Sequence, residues 1–395
     1  MPLSHRWTLT RYLIEQRRRF PQASGDLNAL ILDISLACKA IARVVAFGEL
    51  GDGLSDGLTP LPKSEAGAVS VQGDVQKPLD ALSHQIFIRM NEWNGHLAGM
   101  ASQETIDPRQ IPDAYARGKY LLVFDALDGS GNIDVNVSVG SIFSVLRAPQ
   151  DAVDSARAIT QADFLQPGTT QVAAGYALYG PTTMFVLTVG DGVAGFTLNP
   201  NLGEFVLTHP NIRVPVDTQE FAINSSNSRF WEPPVKRYVD ECLAGKPGPR
   251  GKDFNMRWIA SMVAEAHRIL MRGGVFLDPR DNRARPQAAA ARHPPATGAG
   301  RLGSGAAPTQ DPLNEGRLRL LHAANPIGFV IEQAGGRAST GRQPILGVKP
   351  SSLHQRIGLV FGSRAEVERI ERYHREPATR DPGMPLFAER SLFRN

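Results

Sequence analysis

Cysteine is nearly absent from this chain: Cys38 and Cys242 are the only two in 395 residues. Two thiols in separate amphipathic segments leave at most one disulfide, the poorer reading, and fit a reduced, cytoplasmic setting more simply. Long apolar runs are missing too, and no stretch approaches the roughly 20 apolar residues of a membrane span. Residues 1–19 are polar and basic with no apolar core ahead of a cleavage site, so no secretory signal is expected. Charge of one sign is not concentrated anywhere. The net charge is +4, and the short run Arg17-Arg18-Arg19 reads as a solvated helix end, which argues against a nucleic-acid partner. What is present is 42% hydrophobic and 21% charged residues, a globular composition over a length that suggests two domains.

The most informative segment is F-D-A-L-D-G-S-G-N-I-D at 124–134. Residues 120–124 have the length and apolar content of a buried strand, and two acids and a run of small residues follow. Asp125 and Asp128 offer hard oxygen ligands, while Gly129, Ser130 and Gly131 allow backbone N–H groups to approach an anion. An isolated D-x-x-D-G is equally consistent with a simple acidic turn after a strand.

Apolar residues at helical spacing predict helices over 27–47 and 79–93, then strands over 120–124, 141–146, 171–178, 183–189 and 192–198. A second half starts near 208–217, with a strand at 221–224, helices at 235–242 and 259–272, a strand at 274–277, a helix at 318–334 and a strand at 358–362. Helices followed by closely spaced strands fit an α/β, or α+β, layered sheet. Residues 282–314 are almost wholly Ala, Arg, Pro, Gly, Gln, Thr and Ser, too poor in large apolar side chains to offset their ordering entropy, and are expected to form a disordered insertion. The tail 375–395 also reads as loop.

Further segments extend the pattern: G-D-V-Q-K-P-L-D (73–80), R-G-K-Y (117–120), A-A-G-Y-A-L-Y-G-P-T-T (173–183), H-R-I-L-M-R-G-G-V-F (267–276), L-R-L-L-H-A-A-N-P (318–326) and E-Q-A-G-G-R-A-S-T-G (332–341). With the 124–134 motif they resemble class I fructose-1,6-bisphosphatase, within the Mg²⁺-dependent sugar and inositol phosphatases, over roughly residues 8–374.

The resemblance implies alternating helix and sheet layers (αβαβα), with an N-terminal phosphatase domain over 8–208 and a substrate-binding domain over 209–374. It implies hydrolysis of the 1-phosphate of fructose 1,6-bisphosphate with Mg²⁺, or alternatively Mn²⁺, in a homotetramer. Asp125, the Leu127 carbonyl, Asp128, Asp74 and Gln103 match metal positions, and Asp80 and Glu104 match the carboxylate pair that orients and deprotonates water. Asp128, Gly129, Ser130 and Gly131 would face the 1-phosphate. Asn224 and Arg257 match positions for the 6-phosphate, with Arg257 able to act across a subunit boundary, and Arg317 stands where the family has a lysine. Ser24, Gly25, Asp26, Leu27 and Asn28 at a helix start, with Lys119, Tyr120 and Arg147, match the site of the inhibitor AMP, with simple helix capping beside surface basic residues as the other reading.

Departures from the family pattern cluster at the chemistry. Gln103 replaces the first of two glutamates, Ala323 a metal-binding glutamate, His322 a tyrosine, and Asp278 a phosphate-contacting tyrosine. A weakened metal site and slower turnover are therefore expected. A non-catalytic paralogue with a binding or regulatory role and a phosphatase of altered sugar-phosphate specificity stay open as alternatives.

Overall fold

The structure, a computed structural model, describes residues 7–19, 25–48, 78–280 and 316–376. Its helices are α1 (Leu9–Arg19), α2 (Gly25–Phe47), α3 (Pro78–Asn91), α4 (Gln150–Asp154), α5 (Gln161–Phe164), α6 (Pro233–Leu243), α7 (Met262–Arg272), α8 (Asn325–Gln333) and α9 (Arg364–Arg375). In α2, Leu30, Ile31, Ile34, Cys38 and Ile41 recur at helical spacing and are fully buried.

The first sheet contains β1 (Leu97–Ser102), β2 (Arg109–Gln110), β3 (Tyr120–Asp128), β4 (Val139–Arg147), β5 (Ala173–Tyr179), β6 (Thr183–Thr188), β7 (Ala194–Asn199) and β8 (Glu204–His209), in the order β2-β1-β3-β4-β5-β6-β7-β8. Its pairings are antiparallel except for β1 with β3, which run parallel. The second half contributes β9 (Glu220–Ile223), β10 (Asn255–Met256), β11 (Val275–Asp278), β12 (Leu318–Arg319), β13 (Arg337–Ser339), β14 (Arg356–Ile357) and β15 (Leu359–Gly362). Five of these form a sheet in the order β10-β9-β11-β15-β13, and β12 pairs with β14.

Strand alternation sorts the side chains into layers. Leu122, Phe124, Phe143, Phe185 and Phe196 face α1, α2 and α3 in one core. Ile142, Tyr176 and Val186 face α7 and α8, whose other neighbours are Ala222, Phe276 and Phe361 of the second sheet. The far side of that sheet, Phe221, Ile223, Val275 and Val360, is covered by Val235 and Tyr238 of α6 and Ile370 of α9. The order helix, sheet, helix, sheet, helix is the layered αβαβα arrangement. Phe124 and Phe87 stack in the first core with ring centroids 4.7 Å apart, and each fully buried Phe contributes about 1.5–3 kcal/mol.

Three sequence expectations need correction. The strand expected over 120–124 continues to Asp128, so Asp125 lies inside β3 and is not part of a turn after it. The helix expected over 318–334 is three elements: the bridge β12, a π-helical turn Leu320–Ala324, and α8 starting at Asn325. Pro326, in the first turn of α8, has no N–H to give to the preceding turn, and Arg319 is drawn into pairing with Arg356. The helix expected from 259 begins at Met262, because the Ser261 side chain accepts the N–H of Ala264 at 3.3 Å and caps it. The expectations for Asp74, the 282–314 insertion and the tail beyond Glu376 lie outside the described residues.

Candidate active site

Asp125 takes its place from strand geometry. Leu121 and Val123 pack beside Leu321, whereas Leu122 and Phe124 face α1, α2 and α3, and the alternation puts Asp125 on the side of Leu121 and Val123. It is 3% exposed. A bulge follows: Asp125 stands opposite Ile142 and Asp128 opposite Gly140, so β3 spends three steps where β4 spends two. The bulge is held by the Ser141 hydroxyl, which donates to the Ala126 carbonyl at 2.7 Å and meets the Tyr179 hydroxyl at 2.7 Å. Leu127, at the bulge, directs its N–H to Asp125 Oδ1 at 3.2 Å.

Asp128 reaches the start of α7. Its Oδ2 accepts the Ser261 hydroxyl at 2.9 Å and the Val263 N–H at 3.0 Å. The chain between them is tight. Gly129 has φ 77°, and a Cβ there would lie 2.8 Å from Ser261 Cβ, so both the turn and the approach of α7 need glycine. Ser130–Val135 forms a 3₁₀ turn, tied to the second half by Asn132 Nδ2 donating to the Ile259 carbonyl at 3.0 Å. Gly131 opens onto unfilled space, so packing does not require glycine at that position.

Glu104 arrives from the neighbouring strand. Parallel pairing sets Ser102 beside Phe124, and the Gln103 N–H donates to the Phe124 carbonyl at 3.0 Å. The Glu104 N–H then donates to Ser102 Oγ at 3.1 Å, and that hydroxyl contacts His84 Nδ1 at 2.9 Å. Asp80 sits in the first turn of α3, where a negative charge is favoured. Burial, followed by the charges of Asp128, Glu104 and, less strongly, Asp80, pushes the Asp125 carboxyl well above the usual range. Burial also raises Asp128, against the hydrogen bonds from α7. The structure thus gathers four of the expected site residues, Asp80, Glu104, Asp125 and Asp128, from three separate elements, with Gln103 beside them.

Sequence reasoning missed Arg319. It is 7% exposed, donates from Nη1 to the His354 carbonyl at 2.7 Å, and feels the charges of Glu104 and Asp125. The signal was available, since an arginine inside the apolar run L-R-L-L needs a buried partner.

The residues of the second half are only partly assembled. Asn224, Asp278 and Arg317 line one small recess with Asn227 and Trp231, and Arg317 Nε lies 3.7 Å from Asp278 Oδ1. Asn224 Oδ1 accepts the Ser226 N–H at 3.2 Å. Arg257 is absent from that recess: its exposed side chain leans on Glu220 at 3.7 Å, beyond the end of β10. Ala323 and His322 are buried in the π-helical turn. At the other end of the first sheet, Lys119 pairs with Asp26 of α2 at 2.7 Å, and Arg147 lies over the Tyr120 ring, so these four of the expected group are brought together, while Ser24 lies outside the described residues.

The donor set suits a hard divalent ion. Burial first, and then the neighbouring carboxylates, disfavour the charged form of Asp125, and a cation would favour it. As they are placed, no group of three or more His, Cys, Asp or Glu side chains among the described residues could hold a metal ion.

The description "Fructose-1-6-bisphosphatase, N-terminal domain" matches residues 7–210, and "Fructose-1-6-bisphosphatase, C-terminal domain" matches 214–292 and 303–375. Five layers with clustered carboxylates at a bulged strand end define, together with these matches, a phosphoric monoester hydrolase. The chain is 62% identical over 395 residues to fructose-1,6-bisphosphatase class 1 of Hydrogenophilus thermoluteolus, covering all of this chain and 99% of that one. It is 58% identical over 393 residues to a class 1 enzyme of Methylibium petroleiphilum, with the same coverage. The holo form of Leishmania major fructose-1,6-bisphosphatase superposes with a TM-score of 0.76 at 34% identity, over 94% of this chain and 99% of that one. This chain belongs to the class 1 fructose-1,6-bisphosphatase family. No helix of the described residues is long and apolar enough to cross a membrane.

Proposed function

We propose that this hydrolase removes the 1-phosphate of fructose 1,6-bisphosphate in a reaction that requires Mg²⁺ or Mn²⁺, at a reduced rate. The observation that carries the reading is the convergence of Asp80, Glu104 and Asp128 on the buried Asp125. Asp125, Asp128, the Leu127 carbonyl, Gln103 and Asp74 would hold the metal, which supplies positive charge against the transferring phosphoryl group and acidifies the attacking water. Glu104 and Asp80 orient that water and accept its proton. The turn from Gly129 to Gly131 lies against the 1-phosphate, and Asn224 and Arg317 hold the far end of the sugar, with Arg257 contributing from its more distant position.

The reduced rate follows from Gln103, a neutral donor, and from Ala323, whose buried methyl group cannot coordinate an ion. Phosphate release from fructose 1,6-bisphosphate, measured at saturating Mg²⁺ and Mn²⁺, tests the assignment. The double variant Gln103→Glu with Ala323→Glu should turn over at least about 10-fold faster, since even residues that only support metal ligands commonly carry about 10 to 100-fold effects. No phosphate release by either protein would overturn the reading.

The group formed by Asp26, Lys119, Tyr120 and Arg147 supports AMP as an inhibitor. The Lys119–Asp26 pair would have to open for a phosphate to take the lysine. A homotetramer, as in the family resemblance, is proposed as the assembly.

A further inference from the structure

The segment that carries Glu104 is short and held from two directions. From its own half, the Gln103 N–H reaches the Phe124 carbonyl at 3.0 Å and the Glu104 N–H reaches Ser102 Oγ at 3.1 Å. From the other half comes a histidine. His354 Nε2 lies 2.8 Å from the carbonyl oxygen of Thr105, the residue after Glu104. A carbonyl can only accept, so Nε2 must carry the proton, and the other ring nitrogen, Nδ1, is buried without a hydrogen-bond partner.

His354 is itself well fixed. Its ring lies 5.2 Å from that of His322 at an interplanar angle of 4°, a parallel stack on a side chain that is fully buried in the π-helical turn. Its own carbonyl accepts from Arg319 Nη1 at 2.7 Å, and the next carbonyl, of Gln355, accepts the Leu320 N–H at 2.9 Å. Burial and then the charge of Arg319 hold the His354 pKa down, against the backbone hydrogen bonds to Thr105 and Ile106, and so favour the neutral ring. A neutral ring with one proton has one donor to give, and the geometry gives it to Thr105.

We infer that His354 is a positioning residue for Glu104. It acts as a strut from the C-terminal half that fixes the Glu104 segment through the Thr105 carbonyl, with His322 as the stacking platform that aims it. The inference rests on the reading of Glu104 as a group that handles the attacking water. It assigns a role to His322, which stands where the family pattern has tyrosine: a flat, buried surface for a second ring. A carboxylate that orients water must be held closely, because a misplacement of about 1 Å can cost on the order of 100-fold in rate.

The test compares His354→Phe, which keeps a flat ring on His322 but has no donor, with His354→Gln, whose amide can restore an N–H near the position of Nε2. Three readouts are taken on the full chain: kcat and KM for phosphate release with Mg²⁺, hydrogen exchange of the 103–107 segment by mass spectrometry, and melting temperature. His354→Phe should lower kcat by about 10 to 100-fold with KM nearly unchanged. It should also speed exchange in 103–107 without a matching global loss of stability. His354→Gln should recover most of both. A ¹⁵N imidazole spectrum of the unaltered protein should show the His354 proton on Nε2.

Wild-type kcat and exchange in His354→Phe would overturn the strut, and so would an Nδ1 proton. Equal losses in both variants that follow the melting temperature would also overturn it, by reducing His354 to a packing residue. If the unaltered chain releases no phosphate, the reading of Glu104 fails, while the exchange comparison still decides whether His354 holds the segment.

Discussion

Acids are buried in both halves of the molecule, with opposite company. In the C-terminal half, Glu366 receives Arg250 Nη2 on both oxygens at 2.6 and 2.7 Å, and the Tyr238 hydroxyl at 2.7 Å. Glu220 gathers Arg268 and Arg272, and Glu371 takes Arg337 through two bonds. In the N-terminal half, Asp125 is as deeply buried but faces Asp128, Glu104 and Asp80. Paired acids join elements to one another: Glu366 joins α9 to α6, Glu220 joins β9 to α7, and Glu371 joins α9 to β13. Crowded acids create a demand for positive charge that Arg319 answers only in part, and that demand marks a binding site more clearly than the count of carboxylates does.

The sharpest way to break this contrast is to neutralise one acid of each kind. Asp125→Asn should reduce phosphate release by more than the roughly 100-fold upper range of supporting residues. The same change should raise the melting temperature measured without added metal, because the buried amide escapes the repulsion. Glu366→Gln should behave in reverse, losing about 3–5 kcal/mol of stability by leaving Arg250 buried without its partner, with turnover per folded molecule unchanged. Urea unfolding and a phosphate assay on both proteins decide the matter. Matching stability changes in the two variants would remove the distinction.

Buried histidines give a smaller effect. Burial lowers His84 and His267 to about 4 from 6.5. Because the unfolded chain binds these protons first, stability is complete above pH 6.5 and falls as pH drops from 6.5 through about 4, by on the order of 3 kcal/mol per histidine. Asp125 works in the opposite direction, since its raised pKa makes the metal-free fold lose stability as pH rises through it. Unfolding midpoints at pH 7 and pH 4.5 should separate the two, with His84→Gln flattening the acid side only. The smallest contrast lies within one turn. Gly129→Ala should cost about 1–3 kcal/mol from its positive φ and the contact with Ser261, whereas Gly131→Ala should stay within about 0.5 kcal/mol.

Much of this arrangement was legible in the sequence. The run before Asp125 and the helical spacing of 27–47 pointed to the layers, and the acids at 80, 104, 125 and 128, picked out by resemblance, lie near one another in the structure. What escaped is explained by tertiary effects. β1, L-A-G-M-A-S, has no β-branched residue and becomes a strand because β3 supplies a parallel partner. Helix α9 hides Val367, Ile370 and Tyr373 among charges, and Glu366 and Glu371, which look solvated, are buried against arginines. The Asp125–Asp128 bulge depends on Ser141 and Tyr179, whose meeting no local pattern announces. Arg257 and Arg317 sit apart within the chain, on segments next to β10 and β12 of different sheets, a separation compatible with the expectation that Arg257 acts across a subunit boundary.

The cap that Asp128 places on α7 has a mechanical consequence. One oxygen, Oδ2, both belongs to the acidic cluster and receives the Ser261 hydroxyl and the Val263 N–H. Helix α7 fills the layer between the two sheets, with Val263 and Ala266 in the core it shares with α8. Whatever draws on the charge of Asp128 therefore competes with the two donors at the start of this middle helix, so the acidic cluster and the first turn of α7 share one oxygen.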